Sequence, residues 1–441
     1  PDLDARGMAT PSGVSAAGHG CIGRGPDDDG APGSGAIPIV TSPSATRSGR
    51  LRFILILGAL TAFAPLSIDM YLPAFPAIER HCAVGPGPGQ ATLAVFFVGL
   101  AAGQAVYGPI ADRFGRRGPL VMGIAIYVAA SGLASVAPDI GTLILARVLQ
   151  ALGGCAGIVI ARAMVRDLFH EREAALVYSH LMLVMGVAPI LAPVLGAYVL
   201  AVADWRAVFW ILAGFGALCI AAVTLGLPET LSPERRSRGG IGGVLRGYGS
   251  LCLDRRFLGL AFCGAFGSGA LFAYITASPF VFISQHGVSA QTFSILFGAN
   301  AFGLILSSQL NVVLLRRFAS RQILAVAGVT NAALGLTLVA VVLVAPDWLA
   351  GLVVPLFLFI ATLGFIFPNA VASAMARTQT RAGAASALIG VLQFLLGALA
   401  SAIVGQLGDG GARSMAIVVA AAAAAGWIAG RSGRDSVAAP S

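Results

Sequence analysis

The sequence predicts an all-α polytopic membrane protein with about twelve transmembrane helices, and three observations carry that prediction. Hydrophobic residues make up 57% of the 441 residues and charged residues only 11%, about half the charged share of a soluble domain. Long apolar runs follow one another with short polar breaks, and most reach the ~20 residues a helix needs to cross ~30 Å of hydrocarbon. The basic residues are all arginine, and they gather in the breaks.

Residues 1–50 are rich in Gly, Pro, Ser, Ala and Asp and hold no aromatic residue, the composition of a disordered tail. The chain opens on Pro1, and Met8 is a candidate start. No cleavable signal peptide is expected, because the first apolar run lies deep in the chain and is too long for a signal core. The runs cover 53–77, 91–111, 118–137, 142–165, 174–200, 207–227, 257–282, 291–315, 322–344, 348–372, 384–407 and 414–430. The last is short and Ala-rich.

Arginine sets the expected orientation, since cytoplasmic loops retain positive charge. With the N-terminus inside, the inner breaks hold Arg47, Arg50, Arg52, Arg113, Arg116, Arg117, Arg166 and Arg172 in the first half. The centre adds Arg235, Arg236, Arg238, Arg246, Arg255 and Arg256, and the second half adds Arg316, Arg317, Arg321, Arg377, Arg381, Arg431 and Arg434. The outer breaks hold only Arg80, Arg206 and Arg413. Both termini are therefore expected inside. The longest internal break, 228–256, is polar and basic and divides six runs from six. Its second part, with Val244, Leu245, Tyr248, Leu251 and Leu253 beside Arg246, Arg255 and Arg256, suits a short helix on the inner membrane surface. The expected organisation is a cytoplasmic tail (1–50), a six-helix bundle (51–227), a basic linker (228–256), a second six-helix bundle (257–430) and a cytoplasmic tail (431–441).

Several function classes fall away. The formal net charge of +9 is spread in short clusters between apolar runs, not in the continuous stripe that nucleic acid requires. The six cysteines (21, 82, 155, 219, 252 and 263) and five histidines lack metal-ligand spacing, and the cysteines read as small packing residues. No nucleophile, base and metal set converges, so no enzyme and no cofactor is expected.

Two features carry chemistry. Asp69 is the only acidic residue well inside an apolar run. Burial disfavours a charged carboxylate, so such a group is suited to taking up and releasing protons; the alternative is an aspartate near a helix end that faces water. Arg147 is its expected partner. A helix ending near Ala77 puts Asp69 ~12 Å from the outer end, and Arg147 lies ~8 Å from the same face. A clamp onto backbone carbonyls is the other reading of Arg147, and Arg162, near the inner end, is expected to snorkel. The break between runs 2 and 3 reads Gly108-Pro109-Ile110-Ala111-Asp112-Arg113-Phe114-Gly115-Arg116-Arg117. Gly and Pro are expected to make a tight reversal, Asp112 to latch one conformation by pairing with a basic group or a helix end, and Arg113, Arg116 and Arg117 to hold the loop at the inner surface.

That loop resembles the signature of the major facilitator superfamily. Leu315-Arg316-Arg317-Phe318-Ala319-Ser320-Arg321 is similar to a decayed second copy without the Asp. Further stretches resemble the Bcr/CflA group of drug:proton antiporters. In the first half they are Ser67-Ile68-Asp69-Met70-Tyr71-Leu72-Pro73-Ala74, Ala146 to Gly154, Ile160 to Asp167, Met185 to Pro193 and Trp205-Arg206. In the second half they are Ala277-Ser278-Pro279-Phe280-Val281, Phe365-Ile366-Phe367-Pro368-Asn369 and Gln393-Phe394-Leu395-Leu396-Gly397. The resemblance covers about 52–407 and implies a major facilitator fold of two pseudo-symmetric six-helix bundles. It also implies a monomer in the bacterial inner membrane that draws on the proton gradient.

In the family the helix-4 arginine, here Arg147, is tied to proton coupling. Gly186, Pro189, Pro193 and Gly196 loosely resemble the superfamily's helix-5 antiporter motif, and the prolines are expected to bend that helix. The substrate cavity is expected between the halves, with Tyr71, Gln150, Tyr274, Asn300, Asn331 and Gln393 as candidate lining or as interhelical hydrogen bonds. One buried acid suits neutral or weakly polar drug-like substrates. The expected function is proton-coupled efflux of small lipophilic antibiotics or toxic compounds. The alternative is export of an endogenous metabolite, an amino acid or sulfur compound, on the same scaffold.

Overall fold

The computed structural model describes residues 47–169, 171–236, 248–249, 251–376, 378, 382–407 and 411–432. The predicted tails (apart from 47–50, 431 and 432) and the core of the predicted surface helix (Val244, Leu245, Arg246) lie outside them. The first apolar run is broken into α1 (Arg47–Thr61), α2 (Phe63–Asp69), a single turn Leu72–Ala74 and α3 (Phe75–His81). The two parts of this span meet at a bend of 40°. Pro65, Pro73 and Pro76 explain the breaks, since each lacks the N–H that would bond the preceding turn. The continuous helix expected to end near Ala77 is thus corrected.

Eleven long helices follow among the described residues: α4 (Pro86–Phe114), α5 (Arg117–Ser135), α6 (Ile140–Leu168), α7 (Glu171–Val202), α8 (Arg206–Gly226), α9 (Arg255–Pro279), α10 (Ala290–Leu314), α11 (Ser320–Val344), α12 (Leu349–Met375), α13 (Ala382–Gln406) and α14 (Ala412–Ser432). Among the described residues, eleven helices are long and apolar enough to cross a membrane, or twelve with the bent first span. The final run is a full 20-residue span. Asp139, Asp254 and Ser289 cap α6, α9 and α10 by accepting from backbone N–H groups of their first turns, as N-cap side chains do.

The packing repeats with a period of six elements. In the first half α4 packs on α6, α5 on α6 and α5 on α8; in the second, α10 packs on α12, α11 on α12 and α11 on α14. The halves meet through α4 against α13 and α7 against α10, a pair of contacts exchanged by the same shift. One side of the molecule, here the basic face, carries the α4–α5 loop with Arg113, Arg116 and Arg117 and the α10–α11 loop with Arg316 and Arg317.

Candidate functional site

A cavity of about 780 Å³ lies between the halves, lined by Asp69, Arg162, Tyr274, Asn300, Gln393 and an apolar majority including Met182, Met185, Phe272, Phe297 and Phe394. A second chamber of about 520 Å³ at the basic face is lined by Gly108, Asp112, Arg116, Arg166 and Gly383. Gln104, Arg162 and Ser386 belong to both linings, so the cavity leads to the basic face. Towards the other face the halves are joined. The Ser294 hydroxyl of α10 donates to the Pro193 carbonyl of α7 at 3.0 Å, and α3 packs on the π-wound segment Phe280–Gln285 that continues α9. Phe97, Phe272 and Phe394 stack across the halves at 4.1 and 5.7 Å.

The last residue of α2, Asp69, is 3% exposed and lines the cavity, within electrostatic reach of Tyr274. Tyr274 accepts from Asn300 at 2.8 Å and stacks on Phe297 at 5.6 Å. Arg147 is elsewhere. Its fully buried guanidinium lies over the rings of Phe96 (4.1 Å), Tyr71 (4.7 Å) and Phe209 (6.0 Å). Its Nη1 donates to Gln150 at 2.5 Å, and Gln150 donates to Ser131 at 2.8 Å. Its Nε and Nη2 have no hydrogen-bond partner. Among the described residues no ion pair joins Asp69 to Arg147, which corrects the expected pairing. The two depths do correspond, because Arg147 reaches Tyr71, two residues beyond Asp69. Two residues turn a helix by ~200°, so Tyr71 points into the first bundle while Asp69 points out of it.

The six candidate lining residues divide evenly. Tyr274, Asn300 and Gln393 line the cavity. Tyr71 bonds Thr92 at 3.0 Å inside the first bundle, Gln150 holds Arg147, and Asn331 clamps α11 to α12 through the Phe359 carbonyl at 3.0 Å and Thr362. None of these three lines the cavity; they take the other expected part, as interhelical hydrogen bonds. Arg162, expected to snorkel, lines both chambers.

The α4–α5 loop closes on its own half. Gly108 and Pro109 do not form the expected reversal but lie within α4; the turn falls at Gly115, whose φ of +95° suits glycine. Arg116, 3% exposed, bridges Asp112 at 2.6 Å and Asp167, at the end of α6, at 2.8 Å. Arg117 donates to the Thr224 carbonyl at the end of α8, and Arg113 lies exposed over Phe114. Glu229 accepts from the backbone N–H groups of Arg116 (2.8 Å), Arg117 (3.1 Å), Thr230 and Leu231 (3.0 Å each), so a carboxylate sits at the N-terminus of α5. Burial works against its charge, but these donors hold its carboxyl below the usual value. Sequence reasoning missed Glu229 and Asp167. Asp167 stood within a quoted stretch, whereas a glutamate in a polar break gave no signal.

In α7 a single helix runs through Pro189 and Pro193. Gly186 faces Ile305 of α10, and a side chain at Gly196 would strike the Met70 backbone, next to Asp69. Gly186 and Pro189 also line the cavity.

The model of the Major Facilitator Superfamily matches residues 55–401. An MFS-type transporter of Bacillus subtilis, YdgK, is 37% identical over 82% of this chain and 90% of its own. A bicyclomycin resistance protein homolog of Haemophilus influenzae is 31% identical over 80% of this chain and 89% of its own. The solved structure of the nucleoside transporter NupG superposes with a TM-score of 0.70 at 11% identity, covering 88% of this chain and 100% of that one. With a six-element repeat, a cavity between the halves and relatives of this kind, the chain belongs to the major facilitator superfamily, where it is a Bcr/CflA-type transporter and not an enzyme.

Proposed function

We propose that this transporter exports small lipophilic compounds, antibiotics among them, in exchange for protons by alternating access. The observation that carries this reading is the placement of Asp69, among the described residues the one acid lining the central cavity. The cavity is largely apolar, of a size for a drug-like molecule, and leads to the face where arginine accumulates. The positive-inside rule supports reading that face as cytoplasmic, with both termini inside, and the bacterial relatives support a bacterial cytoplasmic membrane. The relative named for bicyclomycin resistance supports antibiotics as substrates.

In this inward-open arrangement ionised Asp69 receives the substrate side of the cycle. After the halves rock, a proton from outside loads Asp69 and is released inside on return. The gradient is the energy source, no cofactor takes part, and a monomer suffices. Arg147, which does not contact Asp69, acts as a positioning residue. It grips Tyr71 and thereby the helix break of the first span directly beyond the acid. The helix-5 glycines and prolines line and pack the interface that must open.

Asp69→Asn tests the core of this reading in everted vesicles with an imposed proton gradient. Proton-coupled efflux of a lipophilic dye should be abolished while expression and thermal unfolding in detergent stay as in the wild type. Full efflux by that variant rules out Asp69 as the proton carrier.

A further inference from the structure

Among the described residues Arg162 is the one cationic residue lining the central cavity, and none of their acids forms an ion pair with it. Among the lining residues only Asp69 and Arg162 carry charge, and the ion pairs among the described residues leave Arg162 out. The nearby carboxylates of the basic face, Asp112 and Asp167, are both held by Arg116. The side-chain contact Arg162 does make is to the Met185 sulfur at 4.0 Å, and a thioether is a weak acceptor. Tyr178 donates to the Arg162 carbonyl at 2.8 Å, which fixes the backbone and leaves the guanidinium free to face the cavity.

Snorkelling does not account for this placement. Arg166, one turn nearer the end of α6, is exposed and lines only the chamber at the basic face, which is where a snorkelling arginine belongs. Arg162 instead sits at the neck shared by both chambers. Arg162 is half-buried, and the two fully buried arginines are matched by the protein itself: Arg116 by two carboxylates, Arg147 by three rings and an amide. A cation left without a counter-ion at this neck, which it shares with Gln104 and Ser386, is costly, and a ligand can bring the missing partner. The planar fork of a guanidinium fits a carboxylate through two parallel hydrogen bonds.

We propose that Arg162 is a subsite for a carboxylate on the transported compound, so that the preferred substrates are apolar acids and zwitterions. The apolar body packs on Met182, Met185 and Phe297, with methionine adapting to varied shapes. In a zwitterion the positive end lies toward ionised Asp69, where it competes with the proton. This narrows the expected neutral drug to one with an acidic group, and it rests on the exporter reading only for the direction of transport.

The test uses purified full-length protein in detergent, with equilibrium binding of rhodamine B, which carries a free carboxylate, and of its ethyl ester, which does not. Arg162→Gln should weaken the acid about tenfold, the scale of one charge-assisted bond, and leave the ester unchanged or tighter; Arg162→Lys should recover part of the loss. Equal weakening of both dyes assigns Arg162 a structural role and overturns the proposal, as does failure of the wild type to bind the acid. A second arm needs no variant. Naphthoate should displace rhodamine B from the wild type at about tenfold lower concentration than naphthalenemethanol, and equal displacement overturns the subsite. These readouts need no proton gradient. Retained efflux by Asp69→Asn would therefore remove the proton mechanism while leaving the subsite standing, and the converse holds.

Discussion

Arg147 is held by ring faces and one amide, with two of its nitrogens unbonded. Such an arrangement contributes little to stability, because desolvation of the guanidinium offsets what the rings return. Replacement by a hydrophobe of similar volume should therefore separate structure from function. Arg147→Met should unfold within about 2 kcal/mol of the wild type in thermal or denaturant unfolding, while proton-coupled efflux falls about tenfold or more. Collapse of stability in step with efflux would make Arg147 a structural clamp instead. The residue types at Asp69, Arg147 and Tyr71 were legible in the sequence, and so was their depth, which follows from the rise per residue. Their direction was not. A polar side chain that lines a cavity and one that bridges two helices share the same apolar run, and only the phase of each helix around its own axis separates Tyr274 from Asn331.

The elements were readable wherever length and hydropathy decide them. The twelve spans follow from apolar runs, and their ends extend past the predicted limits where helix continues beyond the hydrocarbon, as at Pro86 and Phe114 of α4. The breaks in the first span lay in plain view at Pro65, Pro73 and Pro76, but a hydropathy window averages over them. The α4–α5 loop shows the opposite case, a readable motif whose partners were hidden in other breaks. Glu229 takes the place of an N-cap for α5 from a distant segment, and its carboxyl lies below the ordinary value of 4.5. A group depressed in the folded state stabilises fully above its unfolded value, and that contribution fades as the pH falls through the folded one. The loop should thus stay closed at neutral pH and loosen only as the pH falls below the ordinary carboxylate value of 4.5. Hydrogen exchange of the Arg116 and Arg117 amides measures this directly. In Glu229→Gln those amides should exchange faster at neutral pH and lose the acid-dependent step. Exchange that is fast and independent of pH in the wild type would show that the carboxylate does not secure the helix end.

At the scale of the molecule, a shift of six elements maps the contacts of one half onto the other and exchanges α4–α13 with α7–α10 as the two seams. Function resides in what the repeat does not share. The first half holds the acid, the buried arginines and the closed basic-face loop, while the second half supplies Tyr274, Asn300, Gln393 and an uncharged wall. Alternating access on such a frame requires one seam region to part while the opposite end closes. In this state the α7–α10 seam is shut: a side chain at Gly298 would sit against Ile190, about 3.8 Å from its Cα, a backbone approach close enough to try a disulfide there. Ile190→Cys with Gly298→Cys, in a background without the native cysteines, should therefore cross-link under mild oxidation and hold this seam shut. Efflux in everted vesicles should fall to the level of vesicles lacking the protein and return on reduction, with each single variant unaffected by the oxidant. Undiminished efflux by fully cross-linked protein would mean that α7 and α10 stay together throughout the cycle, and the moving boundary would then have to be sought at α4 and α13.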